Sequence, residues 1–486
     1  MSLKKLDRSA VANNIERPVR VLQFGEGNFL RAFVDWQIDI ANEKGVLNTS
    51  VAVVSPRFDA ARAVNILKTQ QGVYNVLLEG IEAGKPKRET RMVTSIADIL
   101  APEIKEDMER YQAYIISPEL RFVVSNTTEA GIRYDKDDVL AEAPATFPGK
   151  VTNLLYRRWK HFDGDASKGL IFICCELIEN NATTLREYVL RHAAEAGLPA
   201  DFIKWVEESN IFVDTLVDRI VPGYPRDTID QVKADLGYDD NAVVKGELYH
   251  LWAIGGEGYQ TVAAEFPLDK AGLHVLFMPS IKAFRDKKVR ILNGSHTGMV
   301  PVALQLGCET VMDAFNTPAV NKFINTMVAR EVLPMIDEDP EELRVFADGI
   351  LERFYNPYIK HYLKSIALNS LSKWEARNFP TVKDMAAREN RLAEFELFTF
   401  AALLSLYGPG SGFTPEDDGA HLAKINEAWN PDDWKATVEA ILASGIFVEK
   451  FEQAAPGFTA KVAEYLGQIR EMGMQAALDA FLNSHK

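Results

Sequence analysis

The stretch that decides the fold lies near the amino end and reads Arg20-Val21-Leu22-Gln23-Phe24-Gly25-Glu26-Gly27-Asn28-Phe29-Leu30-Arg31-Ala32-Phe33. Its first five residues have the character of a short buried strand, and a glycine-containing turn follows. From Phe29 onward, large apolar residues recur at spacings of four, three and four, ending at Ile40, which places them on one face of a helix. Val51 to Val54 is a second buried strand. A strand, a glycine turn, a helix and a strand in this order predict the opening of a doubly wound α/β sheet.

The glycine turn predicts a dinucleotide site. Glycines at such a turn let a pyrophosphate approach the N-terminus of the following helix. The third glycine of the usual fingerprint is absent, since Leu30 takes its place, so a purely structural turn is the alternative. The candidate cofactor contacts at the turn are Phe24, Gly25, Gly27, Asn28 and Phe29.

The end of the second strand bears on the choice of cofactor. It reads Ser55-Pro56-Arg57, and the first acid is Asp59. An acid directly after this strand would hold the ribose of NAD, whereas an arginine suits the 2′-phosphate of NADP. Ser55 and Arg57 are therefore candidate cofactor contacts, and the choice between NAD and NADP stays open on these residues.

Two further strands, Phe122–Ser125 and Leu170–Cys174, both run into polar residues. Ligands of open α/β sheets bind beyond the carboxyl ends of the strands, so Ser125, Asn126 and Thr127 are candidate cofactor contacts. Ordinary loop polarity and helix capping are the alternative. Asn181 stands at the entry of a helical run.

Beyond about residue 280 the chain becomes rich in Ala, Leu and Glu, and strand-like runs stop. Helical periodicity covers 318–335, 340–353, 358–373, 387–407, 432–443 and 458–482. We therefore expect a Rossmann-type doubly wound domain over 1–279 and an all-α carboxyl-terminal domain over 280–486.

Composition excludes several classes of function. A net charge of −15 over 486 residues argues against nucleic acid or an anionic membrane surface as partner. No apolar stretch reaches the ~20 residues of a membrane span, and no apolar leader follows the amino end. The three cysteines form no disulfide framework, and the eight histidines show no metal-ligand spacing. We expect a cytoplasmic protein with reduced thiols and no metal.

Lys288, Asn293 and His296 form the second informative element. On an α-helix at about 100° per residue they share an arc of roughly 140°. A desolvated lysine beside an amide and an imidazole can move a proton to or from a sugar hydroxyl. The alternative is a solvated basic helix start followed by an ordinary buried histidine.

Two more groups of residues are candidates for substrate binding. Asp218 and Arg219 lie in an apolar run and form either a buried structural ion pair or part of a site. Lys360, His361, Lys364 and Lys373 follow an Asn-Pro pair; the 360/364 pair is one helical turn apart and predicts a shared basic face. A solvated surface is the alternative for this second group.

Together these elements resemble the long-chain polyol dehydrogenases of the mannitol dehydrogenase family. The matching residues are Phe24–Phe33, Val217–Pro222, Asn356-Pro357 and the K-x4-N-x2-H element of Lys288, Asn293 and His296. The resemblance implies a zinc-independent, NAD-dependent oxidoreductase. It further implies that Lys288 is the acid/base, that Asn293 and Asn181 donate hydrogen bonds to the reacting oxygen, and that His296 orients substrate and lysine.

Within that family the chain is most similar to members that act on hexuronates. Polyol-specific members usually carry Asp-Asn where this chain has Glu176-Leu177. The resemblance thus implies a small anionic sugar acid as substrate, held by Asp218, Lys360, His361, Lys364 or Lys373, and a monomer or weak dimer. The alternatives are a fructuronate reductase, a mannitol-type dehydrogenase and, from another class, a non-catalytic dinucleotide-binding sensor.

Overall fold

The computed structural model describes residues 3–12, 14–55, 61–82, 85–127, 131–136, 138, 144–358 and 360–486. The chain divides into two compact units, Met1–Lys282 and Ala283–Lys486. The division falls close to 279, the predicted end of the first domain.

The first unit carries all the described strands. They are β1 (Lys4–Lys5), β2 (Val19–Phe24), β3 (Ser50–Val54), β4 (Tyr74–Glu82), β5 (Lys85–Val93), β6 (Ile96–Leu100), β7 (Phe122–Ser125), β8 (Ile171–Cys174), β9 (Ile211–Asp218), β10 (Tyr238–Asp239), β11 (Val244–Glu247), β12 (Leu251–Gly255) and β13 (Val275–Met278).

Eight of these strands form one sheet in the order β13-β12-β9-β8-β7-β2-β3-β6. From β9 to β6 all neighbours are parallel, and β12 is antiparallel to β9. Numbered along the chain, the six parallel strands have the order 3-2-1-4-5-6 of dinucleotide-binding sheets. The prediction of a Rossmann-type doubly wound sheet is confirmed.

Both faces of this sheet are buried. Val21, Val53 and Val124 belong to one apolar cluster, whereas Leu22 and Val123 belong to another, as the alternation of side chains along a strand requires. The helices of this unit are α1 (Asn28–Glu43), α2 (Ala61–Thr69), α3 (Lys105–Ile115), α4 (Phe147–His161), α5 (Asn181–Glu195), α6 (Ala200–Ser209), α7 (Ile229–Leu236) and α8 (Tyr259–Glu265).

A second sheet was not predicted. It has the order β11-β4-β5, in which β4 and β5 are antiparallel and β11 is parallel to β4. The short strands β1 and β10 form a separate parallel pair.

The second unit is helical, and no strand occurs among its described residues. Its helices are α9 (Lys282–Lys288), α10 (Ser295–Gln305), α11 (Val311–Asn316), α12 (Pro318–Met327), α13 (Pro340–Arg353), α14 (Leu363–Ile366), α15 (Ser370–Arg377), α16 (Phe379–Glu389), α17 (Glu394–Tyr407), α18 (Gly419–Ala428), α19 (Trp434–Ala443), α20 (Phe451–Ala454), α21 (Phe458–Met472) and α22 (Met474–Ser484). Within the described ranges, none of the helices has both the length and the apolar character needed to cross a membrane.

The centre of this unit is α17, in which every residue from Phe395 to Tyr407 is buried. A helix that is apolar all round must be surrounded by other helices, so α17 organises the bundle. The predicted helix over 340–353 matches α13. The predicted helix over 358–373 is wrong, because only α14 and the start of α15 fall within it and Asn369, with φ of +52°, separates them.

Candidate active site

Gly25 makes the tight turn after β2. Its φ is +129°, and a Cβ there would lie 3.0 Å from both the carbonyl oxygen of Asn126 and Cδ1 of Leu30. Its N–H donates to the carbonyl of Val54 at 3.0 Å. The turn is therefore packed against the tail of β7, and only glycine fits without strain.

Gly27 has the opposite surroundings. It precedes α1 with φ of −67°, and a Cβ there would meet no heavy atom of the described residues within 4 Å. The backbone beside the N-terminus of α1 thus borders open space, where the helix dipole and free N–H groups favour an anion. This geometry fits the pyrophosphate of a dinucleotide.

The other residues of the turn mostly support it. Phe24 is buried with its ring 5.1 Å from that of Phe147, and the Phe29 ring stacks on Phe33 at 5.0 Å. The Arg31 guanidinium donates to the Glu26 carbonyl at 3.1 Å and to Asn28 Oδ1 at 2.6 Å. These contacts hold the turn in shape.

Glu176, two residues after the end of β8, organises the residues that follow β7. Its carboxylate accepts hydrogen bonds from the Ser125 hydroxyl at 3.0 Å and from the N–H and hydroxyl of Thr127, both at 2.9 Å. Burial raises the pKa of Glu176, and these hydrogen bonds oppose that rise. Asn126 donates two hydrogen bonds, from its N–H to the Phe24 carbonyl and from its Nδ2 to the Cys175 carbonyl. Ser125, Asn126 and Thr127 thus form one ordered loop beside Gly25.

Asn181 does not have the predicted geometry of a donor to substrate. It is 1% exposed, and its Nδ2 donates to the carbonyls of Cys174, Glu176 and Thr215 at 3.0–3.2 Å. Its Oδ1 accepts from the Thr215 N–H at 3.1 Å. Both amide hydrogens are therefore engaged with the backbone, and Asn181 ties the end of β8 to β9.

Two predicted cofactor contacts remain. Ser55 is buried at the end of β3, and its N–H donates to the Leu100 carbonyl at 2.9 Å. Arg57 lies outside the described residues, as do Thr128 and Glu129 of the neighbouring loop.

Arg219 has a structural role at the end of β9. Its guanidinium lies 4.1 Å from the centre of the Trp36 ring and donates to the Ala32 carbonyl at 2.6 Å. Burial lowers its pKa to about 9. Arg219 therefore fastens α1 to the sheet, while Asp218 beside it is buried.

In the second unit, Lys288 ends α9, Asn293 lies in a π-helical turn and His296 lies at the start of α10, so the predicted regular α-helix is interrupted. Val289–Gly294 is π-helical and joins α9 directly to α10. The i→i+5 pattern of a π-turn brings Lys288 and Asn293 one turn apart. Such turns are rare and occur frequently at functional sites. The structure therefore brings this predicted trio together with a geometry that sequence spacing alone did not predict.

His296 is the buried member of the trio. Its ring stacks on Phe354 at 4.4 Å and meets the His361 ring edge-on at 5.1 Å. Its pKa is lowered well below the ordinary value, first by burial and then by the charges of His361, Arg353, Arg377 and Lys288. His296 is consequently neutral near pH 7, so one ring nitrogen can donate and the other accept.

Arg353 and Arg377 are site residues that the sequence analysis missed. Arg377, the last residue of α15, contacts α10, since its Nη1 donates to Thr297 Oγ1 at 3.2 Å, and burial lowers its pKa. Arg353 is the last residue of α13, and its charge lowers the pKa of both His296 and His361. The only available signal was the position of Arg353, three residues before Asn356-Pro357.

The lysines predicted to share one basic helical face do not lie on one helix in the structure. Lys360 precedes α14 outside any helix, so it does not share a helical face with Lys364, and both are exposed. Lys373 donates to the Ile366 carbonyl at 3.1 Å. Of this group, His361 is the member whose ring contacts His296. Among the residues described, no three His, Cys, Asp or Glu side chains are grouped so as to hold a metal ion.

Comparison with known proteins assigns both units. The model of the mannitol dehydrogenase Rossmann domain matches residues 19–270, and that of the mannitol dehydrogenase C-terminal domain matches residues 280–465. The altronate oxidoreductase of Bacillus subtilis (strain 168) is 44% identical over 485 residues, which cover 99% of this chain and 98% of that protein. The altronate oxidoreductase of Bacteroides thetaiotaomicron is 40% identical over 486 residues, covering 99% and 100%.

Solved structures share the fold. Pseudomonas fluorescens mannitol 2-dehydrogenase, in a ternary complex with NAD and D-mannitol, matches with a TM-score of 0.73 at 21% identity over 99% of both chains. A substrate-free D-sorbitol dehydrogenase matches with a TM-score of 0.77 at 22% identity over 95% of both chains.

Proposed function

Since this chain belongs to the mannitol dehydrogenase family and is an oxidoreductase acting on CH–OH groups, we propose that it interconverts D-tagaturonate and D-altronate with NAD. The observation that carries the proposal is the π-turn that joins Lys288, Asn293 and His296. The charges of Arg353 and Arg377 help to keep His296 neutral. The names of the relatives at 40–44% identity support the choice of a sugar acid over a neutral polyol.

The first unit would hold the dinucleotide. The open backbone at Gly27 and the N-terminus of α1 suit its pyrophosphate, and the loop of Asn126 and Thr127 borders the same turn. When bound, NADH supplies the hydride for the keto carbon of tagaturonate. Asn181 is left out of the reacting groups, because its amide hydrogens are held by backbone carbonyls.

Lys288 acts as the acid in reduction and as the base in oxidation. As hydride adds to the keto carbon, the carbonyl oxygen gains negative charge, and the Lys288 ammonium donates a proton to it. In the reverse direction the neutral amine removes the proton from the hydroxyl. This lysine takes the place that a zinc-bound group would have in a metal-dependent reaction, so we propose that the reaction is zinc-independent.

Asn293 stabilises the charged oxygen and His296 orients the substrate. The Asn293 amide makes no hydrogen bond with the part of the chain that the structure describes, and it lies one turn from Lys288. It can therefore donate to the developing alkoxide. Because His296 is neutral, it can hydrogen-bond a neighbouring hydroxyl without adding charge at the reacting carbon.

The carboxylate of the uronate requires a cation. The charges of Arg353 and Arg377 both lower the pKa of His296. A planar guanidinium group can bind a carboxylate through two parallel hydrogen bonds. We propose these arginines, together with His361, as the carboxylate site in preference to Lys360 and Lys364. A chain with a net charge of −15 has to gather positive charge locally to bind an anion.

The test is a parallel assay of NADH oxidation with tagaturonate, fructuronate and fructose, repeated with NADPH. We expect tagaturonate and NADH to give the highest kcat/KM, by about 100-fold or more over fructose, because a substrate without a carboxylate loses the charge-assisted hydrogen bonds that we propose for Arg353 and Arg377. Preference for fructose would favour a mannitol-type dehydrogenase. Binding of NADH without turnover of any substrate would favour the sensor.

A further inference from the structure

Asn378 connects the π-turn to the centre of the helical unit. It lies between α15 and α16, where its N–H donates to the Trp374 carbonyl and its carbonyl accepts from the Thr381 N–H, both at 3.0 Å. Its side chain is 0% exposed. The backbone on both sides therefore fixes the direction in which this amide points.

The amide of Asn378 bridges two acceptors. Nδ2 donates to the Gly294 carbonyl at 3.0 Å and to Glu396 Oε2 at 2.8 Å. Gly294 is the last residue of the π-turn and stands between Asn293 and His296 in the chain. A Cβ at residue 294 would lie 3.4 Å from the Arg377 carbonyl, so this backbone approaches the α15–α16 junction closely.

Glu396 is itself held in place. It is 1% exposed, it lies in the first turn of α17, and its N–H donates to Glu331 Oε2 at 3.0 Å. Burial and the neighbouring Glu331 raise the pKa of Glu396 well above its ordinary range. A glutamine at this position would still offer an oxygen to Asn378.

We propose that Asn378, supported by Glu396, is a positioning residue that holds the π-turn, and thereby sets the direction of Asn293 and His296 relative to Lys288. The proposal rests on the proposed function, since that function makes this geometry matter for turnover. The π-turn is the rarer alternative to the α-helix, and the hydrogen bond from Asn378 to the Gly294 carbonyl is a contact from outside the helix that favours it. A displacement of about 1 Å in such a site lowers the rate by up to about 100-fold.

The experiment compares Asn378→Ala and Glu396→Gln with a matched control, Thr437→Ala. Thr437 is also fully buried in the helical unit and donates to the Asn430 carbonyl at 3.0 Å, on the helix α19. For each variant, kcat and KM are measured with NADH and tagaturonate. A second reading, independent of turnover, is the 13Cε1 NMR signal of His296, identified among the eight histidines by its loss in His296→Asn.

We expect Asn378→Ala to lower kcat about 10- to 100-fold, to leave KM for NADH within about twofold, and to shift the His296 signal. Glu396→Gln keeps an acceptor and should stay within about threefold of the unchanged protein. Thr437→Ala should lower the unfolding temperature and leave kcat and the His296 signal in place. If Asn378→Ala does not fold, Asn378→Ser serves instead, because one hydroxyl hydrogen cannot serve both acceptors.

Unchanged kcat and an unchanged His296 signal in the Asn378 variants would overturn the proposal. An equal loss of kcat in Thr437→Ala and Asn378→Ala would also overturn it, because general destabilisation of the helical unit would then explain the loss of kcat. If no uronate is turned over but the His296 signal moves in Asn378→Ala, the proposed function fails while the positioning role is supported.

Discussion

Replacing Gly27 by alanine should weaken NADH binding without destabilising the fold. The backbone at Gly27 is ordinary, with φ of −67°, and a Cβ would lie more than 4 Å from every heavy atom in the part of the chain that the structure describes. The substitution lowers the conformational entropy of the unfolded chain, so the free energy of unfolding should stay the same or rise by ~0.4–1 kcal/mol. The added methyl group enters the space that a pyrophosphate needs. We expect Kd for NADH to rise at least about tenfold, which corresponds to ~1.4 kcal/mol.

The matched control is Gly25→Ala, two residues earlier. There φ is +129° and the Cβ would lie 3.0 Å from the Asn126 carbonyl oxygen, so strain of about 1–3 kcal/mol falls on the folded state. Each kcal/mol lowers Tm by about 2–4 °C in a domain of roughly 150–250 residues and by less in a larger one. The assays are thermal unfolding without cofactor and fluorescence titration with NADH. Gly27→Ala with an unchanged Kd, or with a Tm as low as that of Gly25→Ala, would refute the reasoning.

Three further substitutions test other parts of the structure. Glu176→Ala should lower the free energy of unfolding by about 3 kcal/mol in urea, because three donors lose their buried acceptor; a loss below about 1 kcal/mol would contradict this. Asn181→Ala should lower it by about 2–3 kcal/mol, since its amide serves several backbone groups, and unchanged urea unfolding would count against that role. Burial raises the pKa of Glu331 to about 8. The folded state therefore keeps a proton that the unfolded state releases above about pH 4.3. Because of this difference, the free energy of unfolding falls as the pH rises from about 4.3 to about 8. Glu331→Gln should therefore gain stability relative to the unchanged protein between pH 5 and pH 8, and parallel pH profiles of Tm would exclude the effect.

The part of the fold that sequence predicted well is built from local apolar patterns. The strand Phe122–Ser125 and the helix after Gly27 follow directly from runs and spacings of large apolar residues. By contrast, the strand Lys85–Val93 was missed. It lies at the edge of its sheet and is mostly charged and exposed, as edge strands often are, so it has no apolar alternation to recognise.

For the candidate site, residue types and spacing carry a prediction of which residues act but no information on their local geometry. Lys288, Asn293 and His296 were predicted from their spacing, yet the π-turn also contacts Asn378, 84 residues after Gly294, and no local pattern encodes such a contact. The predicted basic helix face is wrong because α14 begins only at Leu363, which leaves Lys360 outside the helix that contains Lys364. Asn181 has the residue type of a hydrogen-bond donor, but only the fold shows that its amide is already engaged.

The most direct test of the central claim is the turnover of Lys288→Ala with NADH and tagaturonate, measured beside Lys287→Ala. Lys287 is the matched control, since it pairs with Glu338 and lies over the Phe284 and Phe346 rings. We predict that Lys288→Ala lowers kcat by about 10²- to 10⁴-fold with Kd for NADH unchanged, as loss of a general acid requires, and that Lys287→Ala keeps its turnover. A Lys288→Ala enzyme that retains most of its turnover would contradict the assignment of this lysine as the acid/base.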